Sequence, residues 1–299
     1  MLTTVQDLGR WGHQASGVPV AGPMDLYSHR LANQLVGNGE AAAALEITLV
    51  GPELQATADM VCAIAGADFA VTAGGVSVPH TRAFRVQSGV TIRFRERRLG
   101  ARATLAVRGG LVVPGVFGSR ATSVFSRMGP FGGRPLAAGD RLPIGDERTF
   151  DQPHVSAYPA ALPRGGARLR VLPGPHENMF TTGALQAFMS GRYVITTSSN
   201  RMGYRLEGPA LTHTGSADIL SDATPIGSVQ VPGSGQPILL MADRQTTGGY
   251  PKIATVISAD LPLAGQLAPG DWIEFAACTR AAALDALRQQ ERRLTGRPR

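Results

Sequence analysis

Apolar residues in this chain come in short runs set apart by glycine and proline, and that spacing limits the fold more than any other feature. Val61-Cys62-Ala63-Ile64, Phe69-Ala70-Val71, Val90-Thr91-Ile92-Arg93-Phe94 and Ala103-Thr104-Leu105-Ala106-Val107 are examples. Each has the length of a strand, and the 37 glycines and 21 prolines supply turns rather than helix interiors. The expected class is mainly β, a barrel or sandwich with a few short helices.

Residues 25–36 read as one such helix, capped by Asp25, with Leu31 and Leu35 on one face and Gly37 at its end. A second helical piece is expected over 40–45, a third over 182–189 capped by Thr182, and a last one after Thr279 with Leu284 and Leu287 on one face. Further strands are expected at 169–172, 193–196, 238–242 and 253–257. Gly139-Asp140 and Gly270-Asp271 each open a strand pattern, which fits either two related β domains or a common turn used twice. The expected division is an N-terminal β domain with the early helix over 1–148, a linker over 149–166, a C-terminal β domain over 167–278, and a terminal helix and tail over 279–299.

A formal charge of +7 says little about partners, because arginine replaces lysine almost everywhere, as drift toward GC-rich codons would produce. With only 6% aromatic residues and no basic cluster interleaved with them, the chain lacks a nucleic-acid platform. Cys62 and Cys278 sit in apolar runs and read as small core residues. No apolar run is long enough to span a membrane and the start lacks a signal-peptide pattern, so a cytoplasmic protein is expected. His13, His29, His80, His154, His176 and His213 show no zinc-site spacing, His29 reads as a helix-face residue, and no Gly-x-Ser-x-Gly elbow is present.

Lys252 is the single lysine among 29 basic residues, and it closes the most polar loop of the sequence, residues 243–252. Its neighbours Pro251 and Ile253 exclude a Walker loop and a biotin-carrying Met-Lys-Met. Asp243 offers a general base or substrate-orienting carboxylate, Arg244 a planar fork for carboxylate or phosphate, and Lys252 a compact charge; these are the candidate catalytic residues. Gln245, Thr246, Thr247, Gly248, Gly249 and Tyr250 are candidate binding residues, with glycine N–H groups able to approach an anion closely. The alternative is a long solvated hairpin.

Two further stretches are polar. Asn200 and Arg201, beside Gly203, suit an amide or carboxylate, or form an ordinary turn. Asp7 and Arg10, with Asp25 at the first helix start, suit an anion, or belong to a segment shaped by glycine and proline.

Residues 3–10, 17–25, 200–208 and 243–252, with Ala43, Leu45, Glu46, Gly66-Ala67-Asp68, Gly118-Ser119-Arg120, Ser221-Asp222, Val231-Pro232-Gly233 and Gln236-Pro237, resemble one family over nearly the whole chain. It is the biotin-dependent carboxyltransferase family that includes KipA, the so-called allophanate hydrolase subunit 2, and the C component of ATP-dependent 5-oxoprolinase. The resemblance implies a cyclophilin-like β-barrel architecture and an obligate KipI-like partner, the B component. It points first to the oxoprolinase branch, where the B and C components phosphorylate 5-oxoproline with ATP and Mg²⁺ so that the A component opens the ring to glutamate. Arg244, Lys252, Asn200 and Arg201 would then be the anion clamps; no metal ligands are legible.

Two alternatives stay open: half of a urea carboxylase's carboxyltransferase domain, receiving carboxybiotin from another chain, and a KipA-like regulator that binds a kinase inhibitor. The absence of a carrier lysine suits a stand-alone component, expected to be inactive alone. Relatives usually carry a short strand and a Pro-Gly ahead of the position of Leu2, so the resemblance also implies a trimmed start and a first domain lacking its edge strand.

Overall fold

A computed structural model describes residues 2–146 and 160–296. Positions 149–159 of the expected linker and 297–299 of the expected tail lie outside the described residues. The chain divides into two compact units, the first comprising the described residues within Met1–Arg10, Ala21–Leu162 and Glu291–Arg299, the second Trp11–Val20 and Pro163–Gln290. Both are built mainly from β-strands, as the sequence pattern predicts.

The first unit is an open sheet of seven described strands: β1 (Leu2–Gln6), β2 (Ala44–Thr48), β3 (Glu53–Gln55), β4 (Met60–Ala73), β5 (Val76–Ser77), β6 (Ala83–Val86) and β7 (Thr91–Val107). The order is β1-β2-β7-β4-β5, with β3 added to β7 and β6 to β4. The separate short strands expected at 61–64 and 69–71 are one 14-residue strand, and those at 90–94 and 103–107 are one of 17. Bulges explain the difference: the β4–β7 register shifts between Gly66 and Val71, and Gly66 takes φ +95°, so both strands bend without breaking their pairing.

The helix expected over 40–45 is also overturned, since Ala44–Thr48 is a strand paired on both sides, with β1 and β7. Alanine-rich helix propensity is a weak preference, and central sheet pairing outweighs it. Alternation along β2 sends Leu45 and Ile47 to one apolar core and Ala44 to a second, against α1 (Leu26–Leu35). Asp25 caps α1 as expected, its Oδ1 accepting Ser28 N–H at 2.9 Å. Tyr27, Leu31, Ala32 and Val36 face that second core, which also contains Leu294. His29, fully buried on the same helix, is pushed down to about 4 by burial, partly opposed by the Asp7 carboxylate, and is neutral at pH 7. A single turn, α2 (Pro130–Gly133), follows later in this unit.

In the second unit seven strands close into a barrel: β8 (Gly166–Pro173), β9 (Arg192–Ile195), β10 (Gly203–Glu207), β12 (Ser228–Gln230), β13 (Ile238–Leu240), β15 (Lys252–Val256) and β16 (Trp272–Ala277). Two short strands, β11 (Asp222–Ala223) and β14 (Thr247–Gly248), pair outside it. The order is β10-β13-β12-β15-β8-β16-β9, with only β8 and β16 parallel. Closure leaves no free sheet edge, and inward residues such as Leu169, Val171, Tyr193, Ile195, Val229 and Phe275 fill it.

Thr181, one residue ahead of the expected Thr182, caps α3 (Thr182–Ser190), and Phe188 of that helix stacks on Phe275 with ring centroids 4.4 Å apart. After α4 (Leu261–Gly265), Thr279 caps α5 (Arg280–Thr295) as expected, Oγ1 accepting Ala282 N–H at 3.1 Å. The expected stripe on α5 is displaced: Leu284 is exposed and Leu294 is the buried residue. Gly270-Asp271 leads into β16, whereas Gly139-Asp140 leads only to an isolated bridge between Leu111 and Ile144. Among the described residues no helix is long and apolar enough to cross a membrane.

Candidate functional site

The loop that carries Lys252 leaves the barrel after β13 and re-enters it at β15. It is not a solvated hairpin. Its middle forms β14, which pairs with β11, Asp222 opposite Gly248 and Ala223 opposite Thr247. Asp243, Arg244 and Lys252 are all buried, while Thr247 and Tyr250 are exposed and Gln245, Thr246, Gly248 and Gly249 are partly so.

The fold brings Arg201 of the second polar stretch onto the loop. Its Nε donates to Asp243 Oδ2 at 3.1 Å and its Nη2 to Oδ1 at 3.0 Å, a two-pronged pair inside the unit. Both Asp243 oxygens are thereby engaged. Asn200, next in sequence, is exposed, and its side chain closes the turn by accepting Met202 N–H at 2.8 Å.

Arg244 has the opposite surroundings. It is 7% exposed, its Nε donates to the Thr224 carbonyl at 2.7 Å, and no carboxylate among the described residues pairs with it. Burial pushes its pKa down to about 10, so it keeps its charge at neutral pH at an energetic cost that an incoming anion would relieve. The surrounding loop is fixed by Thr224, whose N–H donates to Thr246 O and whose hydroxyl donates to Gln245 O, and by Gln245 Nε2 donating to Gln230 Oε1 at 3.3 Å.

Lys252 is 1% exposed, and its ammonium donates to Asp222 Oδ2 and to the Ala223 carbonyl, each at 2.8 Å. That leaves one of its three donors without a partner among the described residues. The Asp222 side chain is 54% exposed, and the Lys252 hydrogen bond, with the Ala223 N–H, holds its carboxyl below the usual carboxylate range. His176 touches the same residue at its backbone, Nδ1 accepting the Lys252 N–H at 3.3 Å. Burial, then the Lys252 charge, lower the His176 pKa, with Asp222 opposing.

Sequence reasoning misses Asp222, His176, Thr224 and Gln230. Asp222 lies in the Ser221-Asp222 stretch that carries part of the family resemblance, and that is its available signal. For His176, 76 positions from Lys252, no spacing signal exists.

The third stretch is placed in the first unit, and its charges are held locally. Asp7 Oδ1 accepts from Gly9 N–H at 2.9 Å and Ser119 Oγ at 2.6 Å, and Oδ2 from Arg120 N–H at 2.6 Å. Arg10 donates to the Val116 and Ala121 carbonyls. Asp25 serves as a helix cap with both oxygens, Oδ2 accepting the Ser28 hydroxyl at 2.6 Å.

Comparison with known proteins identifies the lineage. The family described as "Carboxyltransferase domain, subdomain A and B" matches residues 16–277. The chain belongs to this carboxyltransferase family. Among its relatives, the C component of 5-oxoprolinase from Escherichia coli is 40% identical over 292 residues, 98% of this chain and 93% of that protein. Urea amidolyase of Saccharomyces cerevisiae is 33% identical, over 91% of this chain but 16% of its own length. The crystal structure of the Kluyveromyces lactis urea carboxylase superposes on 99% of this chain with a TM-score of 0.93 at 30% identity, the chain spanning 28% of that protein.

Among the described residues the second unit of this carboxyltransferase chain therefore offers a buried guanidinium without a counter-ion and an ammonium with a donor to spare. Together they are chemistry for a carboxylate, a phosphoryl group or a developing oxyanion. Among the described residues no group of three or more His, Cys, Asp or Glu side chains could hold a metal ion.

Proposed function

We propose that this carboxyltransferase chain is the C component of an ATP-dependent 5-oxoprolinase, acting with a KipI-like B component to phosphorylate 5-oxoproline and with an A component that completes hydrolysis to glutamate. The observation that carries the reading is similarity to the E. coli 5-oxoprolinase component over 93% of that protein's length. The uncompensated Arg244 guanidinium supports it, because 5-oxoproline brings a carboxylate and ATP brings phosphates.

In this reading Arg244 binds the anionic group, and the Lys252 ammonium, held by Asp222 and the Ala223 carbonyl, stabilises the negative charge on the transferring phosphoryl oxygens and on the departing ADP oxygen as the ring-amide oxygen attacks the γ-phosphorus. Asp243 acts through Arg201, fixing the loop rather than exchanging a proton. In the same reading the Gly248 and Gly249 N–H groups, Asn200, Thr247 and Tyr250 contribute hydrogen bonds to the substrate. Mg²⁺ carried on the nucleotide phosphates would supply charge neutralisation there.

The test is reconstitution of this chain with its A and B partners, supplied with ATP and 5-oxoproline. Glutamate should form only with all three proteins present. Lys252→Ala should lower the rate on the order of 100-fold, and Lys252→Arg should fail as well, because a guanidinium fork is larger and differently hydrated than an ammonium. A wild-type complex that yields no glutamate overturns the proposal.

The likeness to the K. lactis urea carboxylase favours a second reading, carboxyl transfer from biotin carried on another chain, with the same two cations serving the carboxylate. Biotin-dependent carboxylation of urea by this chain with a biotin carrier would establish it. Binding of the KipI-like partner without turnover of either substrate would instead mark a KipA-like regulator.

A further inference from the structure

His176 occupies an unusual place for a side chain. The segment Pro173-Gly174-Pro175-His176 runs along the start of β15: Gly174 N–H donates to Ile253 O at 2.9 Å and His176 N–H to Lys252 O at 3.3 Å. Gly174 is required there, because a Cβ would lie 2.1 Å from the Lys252 carbonyl oxygen. The Lys252 N–H, which in a continued ladder would meet a backbone carbonyl, meets His176 Nδ1 instead.

Geometry fixes the tautomer. Nδ1 accepts from Lys252 N–H, so the ring proton of the neutral form sits on Nε2. A protonated ring would carry hydrogen on both nitrogens and turn Nδ1–H against Lys252 N–H, two donors facing each other. The charged groups that bear on the ring are the Lys252 ammonium on β15 and the Asp222 carboxylate on β11, which are also the partners in the candidate site.

We propose that His176 is a positioning residue for Lys252: neutral, it holds the Lys252 backbone through Nδ1 and so sets where the ammonium stands, and protonated, it releases that hold. The proposal rests on the reading of Lys252 as a site residue. Burial and the Lys252 charge both keep the ring neutral at pH 7, so the release belongs to acid conditions, below the ordinary histidine value of 6.5. Asp222, held below the usual carboxylate range, does not titrate in that window.

Because Lys252 is the chain's single lysine, labelling with ¹⁵N-lysine gives one backbone amide signal, the N–H that His176 accepts. In the wild-type chain that signal should move as pH falls from 8 to 5, with a midpoint below 6.5. His176→Asn, whose Oδ1 replaces Nδ1 as acceptor, should keep the signal near its neutral wild-type position and abolish its titration. His176→Ala should shift it upfield at every pH. In the reconstituted complex, His176→Ala should lower kcat about tenfold with little change in KM, and His176→Asn should restore most of it while removing the acid limb of the pH profile.

A wild-type signal that does not titrate, or one that His176→Ala leaves in place, overturns the proposal. So does activity in His176→Ala equal to wild type. The amide measurement needs no turnover, so a complex inactive toward 5-oxoproline would sink the functional reading while the amide titration still decides the role of His176.

Discussion

The two units carry similar sets of polar residues in contrasting circumstances. In the first, Asp7, Arg10 and Asp25 are buried and hydrogen-bond to nearby backbone or hydroxyl groups, contacts that serve turns and a helix cap. In the second, Asp243 accepts two hydrogen bonds from Arg201, whereas Arg244 beside them meets only one carbonyl among the described residues. Polar composition is alike in both regions; what separates them is how many hydrogen bonds the buried group makes among the described residues, three at Asp7 and at least two at Arg10 against one at Arg244. A buried cation held by a single carbonyl among the described residues persists against its desolvation cost, and a ligand is the simplest reason.

The largest effect should come from breaking the buried pair. Asp243→Ala removes the buried carboxylate that accepts from both Arg201 Nε and Nη2 and should destabilise the unit by about 3–5 kcal/mol. Both tryptophans, Trp11 and Trp272, belong to the second unit, so intrinsic fluorescence follows that unit in a urea titration. An unchanged fluorescence midpoint in Asp243→Ala would show that the pair does not hold the loop.

Next in size is a pH effect in the first unit. His29 titrates near 4 when folded against 6.5 in an ordinary setting, so folding excludes its proton. Its stabilising contribution is complete above pH 6.5, declines as pH falls, and is gone below about 4, amounting to about 3 kcal/mol at most. His29→Gln cannot titrate, so its stability by circular dichroism should fall less between pH 7 and 4 than that of the wild type. Parallel curves for the two proteins would mean that His29 is not the group responsible.

Asp7→Ala should cost less, about 1–3 kcal/mol, because it strips an acceptor from Gly9 N–H, Arg120 N–H and the Ser119 hydroxyl without stranding a charge. The fluorescence transition of the second unit should stay in place, and the remaining folded protein should keep its activity in the reconstituted complex. Loss of activity without loss of stability would move Asp7 from scaffold to site.

The sequence made part of this contrast legible. Strand-length apolar runs predicted a mainly β chain, and the density of unlike polar groups around Lys252 marked the loop whose three charged residues the fold buries. Local pattern did not reveal pairing over distance: Arg201 and Asp243 are 42 positions apart, and His176 and Lys252 76. Nor did it show strand continuity, since Gly66 reads as a break and acts as a bulge within β4. The stretch around Asp7 and Arg10 looked as promising as that around Asn200 and Arg201, because a carboxylate that caps its own backbone and one that awaits a ligand have the same sequence signature.

The smallest stability effect is the most discriminating, because its sign is reversed. Arg244→Met keeps the length and apolar stem of the side chain and removes an unpaired buried charge, at the loss of one hydrogen bond to the Thr224 carbonyl. Those terms oppose each other, and removal of the desolvated charge should prevail, leaving the second unit as stable as wild type or more stable by about 1 kcal/mol. Turnover in the reconstituted complex should meanwhile fall on the order of 100-fold. Stability gained while activity is lost is the mark of a residue kept for a ligand, and no residue of the Asp7 cluster should show it. If Arg244→Met instead destabilises the unit as Asp243→Ala does, Arg244 belongs with the scaffold, and the contrast between the two regions fails where it is strongest.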